Sequence, residues 1–191
     1  MDDSTNYAAS PSARDRPIVL TVAVLAPAQS RCPAHRSWNA PWCKLTIATN
    51  RLPRFVTTLD VGGHALTTAI VKHFGVSEEE AKRVKTERGI VPGAGNEEYL
   101  AAMLSTVAVI REEIGKRLEY WQTHVTEKHD PVTRAILVGG NATVLGLPEY
   151  LEASLKVPVE LGDVFANFAP REAWLPPLEY TESLAYGTAI G

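Results

Sequence analysis

Two glycine pairs constrain this chain more than anything else in it. Residues 134–155, RAILVGGNATVLGLPEYLEASL, pass from a short apolar run at 135–138 through Gly139 and Gly140 into a segment with Leu147, Tyr150, Leu151 and Leu155 on one helical face. That order predicts a buried strand, a glycine turn and a helix. Two adjacent glycines let the backbone bend sharply and leave no Cβ in the way of a ligand. Their amides, with the N-terminus of the following helix, suit a nucleotide, although a tight strand-to-helix connection needs glycines there as well. Upstream, the β-branched run FVTTLD at 55–60 leads into Val61-Gly62-Gly63, after which Leu66, Ala69, Ile70 and Phe74 recur at helical spacing. VGGHA and VGGNA therefore mark two strand ends of the same design, with flanks too different for a tandem repeat. Neither pair has the GxGxxG form, so a dinucleotide fold has no support.

Between the pairs the sequence predicts helices. Gly75 ends the first, and Ser77-Glu78-Glu79-Glu80 forms a capping box for a second that carries Ala81, Val84 and Lys85 and closes at Gly89. Residues 90–96 (IVPGAGN) read as a flexible turn. A long helix follows from about Glu97, with Leu100, Met103, Leu104, Val107, Ile110, Ile114, Leu118 and Trp121 on its inner stripe. Arg111, Glu112, Glu113, Lys116, Arg117 and Glu119 form its solvated face. Before the first pair, KLTIAT at 44–49 and residues 55–60 make a hairpin around Asn50-Arg51-Leu52-Pro53. After the second pair comes a strand at 157–161, placed at a sheet edge by Pro158, then a loop at 169–177. A small-residue helix over 182–190 is cut off at Gly191, as though the sequence stops short.

The first 43 residues are harder to place. Residues 1–16 have no periodicity and read as a disordered tail, and 27–43 hold Pro27, Pro33 and Pro41 without a regular pattern. Residues 18–28 (IVLTVAVLAPA), following Arg14 and Arg16, have the outline of a signal-peptide core. Asp2, Asp3 and Asp15 speak against that, and a β-branched core strand explains the same run. Cys32 and Cys43 give no disulfide framework, and with His35 they lack a fourth zinc ligand. A net charge of −3 provides no footprint for nucleic acid or an anionic membrane. His64, His73, His124 and His129 have no nucleophile at a catalytic spacing.

Three stretches, LDVGGHALTTAIVKHFGVSEEEAKRVKTERG, IREEIGKRLEYW and AILVGGNATVLGLPEYLEASLKVPVE with the later AYGTAIG, resemble in order and spacing the C-terminal half of the PilM family. These are actin-like, nucleotide-binding proteins of type IV pilus assembly, related to the cell-division protein FtsA. The resemblance implies an α/β chain: a ribonuclease H-like (actin-like) sheet with helices and an inserted small helical subdomain, an incomplete actin-like fold. Residues 44–75 and 127–191 would form subdomain 2A, 76–126 the inserted subdomain 2B, and 1–43 a poorly structured or non-homologous segment. It also implies an adenosine motif at Gly139, Gly140 and Asn141, with Gly62, Gly63 and Lys85 facing the same nucleotide. Where the family has an acidic residue three positions before that lysine, this chain has Lys82. The family's phosphate turn, Asp-x-Gly, should fall at 39–43, where the sequence is NAPWC. The other half of an actin-like cleft, with its second phosphate loop and magnesium acids, is not in the sequence.

The expected function is a truncated PilM-like scaffold in the cytoplasm, peripheral to the inner membrane through partners. It would bind ATP weakly, Mg²⁺ only with the nucleotide, and have no catalytic residues. The family's partner PilN docks a peptide on the absent N-terminal subdomains, so that peptide should fail to bind. Two alternatives are a working actin-like ATPase or sugar-kinase relative, and an unrelated α/β interaction module in which both glycine pairs are only turns.

Overall fold

A computed structural model describes residues 18–24, 43–50, 52–124, 131–166 and 179–186. Its centre is a five-stranded open sheet of β1 (Ile18–Val24), β2 (Cys43–Thr49), β3 (Leu52–Leu59), β4 (Arg134–Val138) and β5 (Val159–Leu161), in the order β3-β2-β1-β4-β5. β2 runs antiparallel to both β1 and β3, while β1, β4 and β5 pair in parallel. The carboxyl ends of β1, β3, β4 and β5 therefore emerge at one end of the sheet. Helices α1 (Gly63–Phe74), α2 (Glu78–Arg88) and α3 (Glu97–His124) fill the crossover from β3 to β4. α4 (Leu147–Leu155) lies between β4 and β5, and a short α5 (Tyr180–Ser183) continues into a 3₁₀ turn.

Period-two alternation builds the core. The register sets Phe55, Ile47, Leu20, Ala135 and Val159 in one row across the sheet, and Thr57, Leu45, Val22, Leu137 and Leu161 in the next. Leu20, Val22, Leu45 and Ile47 are wholly buried on this face, in one apolar cluster with Leu66 and Ile70 of α1, Ala81 of α2, Met103, Val107, Ile110, Ile114 and Trp121 of α3, and Leu147 and Leu151 of α4. Burial of each large aliphatic side chain contributes about 1.5–3 kcal/mol.

Several expectations are corrected. Residues 18–24 do not stand outside the domain: they form its central strand, and Cys43 opens β2 with no exposure. The β-branched run is driven into the sheet because both its neighbours, β2 and β4, offer apolar rows in register. The remainder of 1–43, with Cys32 and His35, lies outside the described residues, as do 167–178, His129 and 187–191. Leu104, assigned to the inner stripe of α3, is 43% exposed. The turn at 90–96 is tied down: Asn96 is buried, and its side-chain amide donates to the carbonyls of Arg88 (3.2 Å) and Val91 (2.6 Å).

The hairpin stands, with Leu52 and Pro53 drawn from the expected turn into β3, and the glycine stops of α1 and α2 and the edge position of β5 stand as expected. Ser77 caps α2, its hydroxyl accepting from Glu80 N at 3.2 Å, while the Glu80 carboxylate lies 3.8 Å from Arg83.

Candidate nucleotide-facing site

The two glycine pairs leave β3 and β4 at the same, carboxyl end of the sheet, and the Asn141 side chain reaches across to Gly63. Gly62 caps α1 in an extended conformation with no side-chain partner, and Gly63 begins the helix; both are buried. Gly139, at φ 99°, leaves β4 in a conformation that favours glycine. The expected helix does not follow at once. Residues 139–146 instead wind through consecutive tight turns, with Ala142 N on Gly139 O (2.9 Å), Val144 N on Asn141 O (3.3 Å) and Leu147 N on Val144 O (3.0 Å). Ala142 and Val144 are buried by these turns, which is why α4 starts late. The Gly139 amide is also taken, donating to Leu184 O at 2.9 Å. The N-terminus of α4 therefore does not adjoin the glycine pair.

Lys85 joins the two turns. It projects from α2, is 8% exposed, and donates from Nζ to Asn141 Oδ1 (2.5 Å), Thr67 Oγ1 (3.2 Å) and Gly63 O (3.4 Å). Burial pushes its pKa down to about 8, helped by the charge of Lys82 one turn away. Lys82 itself is half exposed and paired with Glu78 at 2.8 Å. Four of the six residues singled out from the sequence thus belong to one junction: Gly62 and Gly63 at the head of α1, with Lys85 and Asn141 in direct contact with Gly63 or each other. Gly139 and Gly140 are the chain segment that carries Asn141 there.

Thr67 was not singled out. Its signal was a polar residue between Leu66 and Ile70 on the inward face of a helix, where only a satisfied hydroxyl is tolerated.

The stretch expected to hold a phosphate turn, 39–43, is described only at Cys43. That side chain faces the core, and burial raises its thiol pKa to about 12. Among the described residues no group of His, Cys, Asp and Glu is placed to hold a metal ion. His64 shares a 3.5 Å contact with Thr68, His73 lies 3.6 Å from Glu98, and His124 stacks on Tyr120. Two hollows lie among the described residues, and neither is lined by Gly62, Gly63, Lys85, Gly139, Gly140 or Asn141. One, of about 550 Å³, is lined by Ile90, Val91, Pro92, Leu145, Gly146, Glu149 and Tyr150. The other, of about 470 Å³, lies along α1 between Asp60, His64, Lys72 and Thr106.

Among solved structures, a PilM-PilN type IV pilus biogenesis complex shares the fold at TM-score 0.68 and 18% identity, over 91% of this chain and 44% of that one. MreB5 of Spiroplasma citri bound to ADP matches at TM-score 0.58 and 12% identity, over 92% and 52%. The same protein bound to AMPPNP matches at 0.57 and 10%, over 92% and 50%. The chain spans about half the length of these structures. No curated protein matches it. No helix among the described residues is long and apolar enough to cross a membrane. The profile of the family described as "Type IV pilus assembly protein PilM" covers residues 29–191, so this chain, with an open-sheet α/β fold like that of those structures, belongs to the PilM family.

Proposed function

We propose that the chain is a structural member of a type IV pilus assembly platform, held in the cytoplasm against the inner membrane by protein partners. In this reading it carries one wall of an adenine-nucleotide site and does not turn the nucleotide over. The sheet, with β2 alone antiparallel, serves as the ribonuclease H-like core of an actin-like subdomain 2A, and residues 76–126 as its insertion, 2B. Its partners are other proteins of the platform.

The observation that supports the nucleotide part is the seat of Lys85. A buried ammonium destabilises a fold by several kcal/mol unless it is compensated. The hydrogen-bond partners of this one are neutral oxygens. It lies outside the carboxyl ends of parallel strands, where open α/β sheets take their ligands. A phosphate or ribose oxygen arriving there would meet a desolvated cation beside the Asn141 side chain, which lies against Gly63. Strongly perturbed groups of this kind mark functional sites.

Turnover is a different matter. Phosphoryl transfer needs phosphates and metal held from both sides of a cleft. The Asp-x-Gly turn is not at 39–43, and magnesium would arrive only with the nucleotide. Calorimetric titration of the full chain with MgATP tests the proposal. Weak binding is expected, reduced about tenfold by Lys85→Met and abolished by Gly140→Trp, with phosphate release no faster than in buffer. Magnesium-dependent turnover lost in Gly140→Trp would make the chain an ATPase. If ATP and ADP both fail to bind, the glycine pairs are turns and nothing more.

A further inference from the structure

The two edges of the sheet differ. β5 is three residues long, too short to template another strand for any distance. β3 runs for eight residues, and among the described residues no strand pairs with its outer side. An edge strand leaves a row of backbone N–H and C=O groups directed away from the sheet, so another chain pairs with it unless something intervenes. Pro53 and a bulge opposite Ile47 and Ala48 guard the start of β3. From Phe55 to Leu59 the strand reads FVTTL, with no proline, no charge and no further bulge. Phe55 faces α3, so Val56 alternates to the opposite face, where it is 62% exposed with Thr58 exposed beyond it.

Charge selects what can pair there. Residues 43–59 contain Lys44, Arg51 and Arg54 and no acid, in a chain whose net charge is −3. Lys44 and Arg54 are both exposed, and Lys44 lies level with Thr58 on the adjoining strand. Asp60, the first acid, comes after the strand has ended. On the helix side, Phe55 and the half-exposed Tyr120 have ring centroids 5.8 Å apart. A strand laid along β3 therefore meets aromatic neighbours on one face and basic ones on the other. A second copy of this hairpin brings the same bases, so like charge disfavours self-pairing.

We infer that β3 is a docking edge for an acidic, extended segment of a partner protein. That segment adds to the sheet as a sixth strand, with apolar residues beside Phe55 and Tyr120 and carboxylates near Lys44 and Arg54. The inference is separate from the nucleotide reading and holds whether or not ATP binds. Main-chain hydrogen bonds supply the affinity, and alternating side chains supply the selection. Ion pairs at so exposed a rim contribute little energy each, but they decide which partner is accepted.

The test uses the full chain and two capped, fluorescein-labelled peptides of about ten residues, one alternating Val and Glu, the other Val and Lys. Fluorescence anisotropy should show saturable binding of the Val-Glu peptide, about tenfold tighter than that of the Val-Lys peptide. The double variant Lys44→Glu, Arg54→Glu should reverse that preference, which a merely misfolded protein could not do. Amide hydrogen exchange should slow within 55–59 when the Val-Glu peptide is added. Equal binding of the two peptides, or binding with no slowing in β3, overturns the inference. So does self-association of the wild-type chain that slows exchange in β3, which assigns the edge to a second copy. A chain that takes neither peptide and already protects 55–59 has one of its own segments on the edge, and the inference fails.

Discussion

Lys85 is where sequence, packing and charge conflict most openly, and the conflict has a measurable sign. Its ammonium is desolvated in the fold, so the folded chain releases the proton near pH 8 whereas the unfolded chain holds it to about 10.5. Between those values the unfolded state binds more protons, and stability rises with pH. Over about pH 7 to 9 the wild-type chain should gain roughly 1 kcal/mol relative to Lys85→Met, read from urea midpoints at each pH. Cys43 works the other way. Burial keeps its thiol protonated to about 12 against 9.0 when exposed, so it lowers stability as pH climbs above 9. Comparison with the Lys85→Met variant cancels that contribution, because both proteins carry Cys43. Equal pH slopes in the two proteins would mean that Lys85 is not desolvated.

Helix α2 shows which elements a sequence can disclose. Ser77 and Gly89 fix its ends through contacts within a few residues, so capping chemistry alone located it. The two C-terminal glycines then differ in a way only tertiary structure reveals. Gly75 and Gly89 both have φ near +60°, yet a Cβ on Gly75 meets open space while one on Gly89 runs into Leu145. Gly75→Ala should cost about 1 kcal/mol from left-handed strain, and Gly89→Ala several times that, in thermal or urea unfolding. Similar losses at the two sites would mean that α2 is not seated on the 139–146 loop.

The same contrast explains what was and was not legible elsewhere. The hairpin was readable because its strands are joined by a few turn residues. The placement of β1 was not, because Thr21 pairs with Thr46 and Ile136, and neither partner is near it in the chain. Lys85 was identifiable by resemblance, but its hold on Thr67 and Asn141 spans 18 and 56 positions and left no local trace.

For the molecule as a whole, the strand beginning at Ile18 makes the difference between a sheet with one edge at β2 and a continuous five-stranded one. Val22 is fully buried in the row it shares with Leu45 and Leu137, so Val22→Asp puts an unpaired carboxylate in the middle of the core. That change should remove more than about 4 kcal/mol and leave little folded protein by circular dichroism. Retained cooperative unfolding would show that residues 44–191 suffice without β1.

The central claim is that both glycine turns and Lys85 form one nucleotide-facing surface. Backbone amide resonances followed during a MgATP titration test it most directly. The account predicts shifts concentrated at Gly62, Gly63, Lys85, Gly140 and Asn141. Shifts confined to the hollow along α1, or none at millimolar nucleotide, would contradict it.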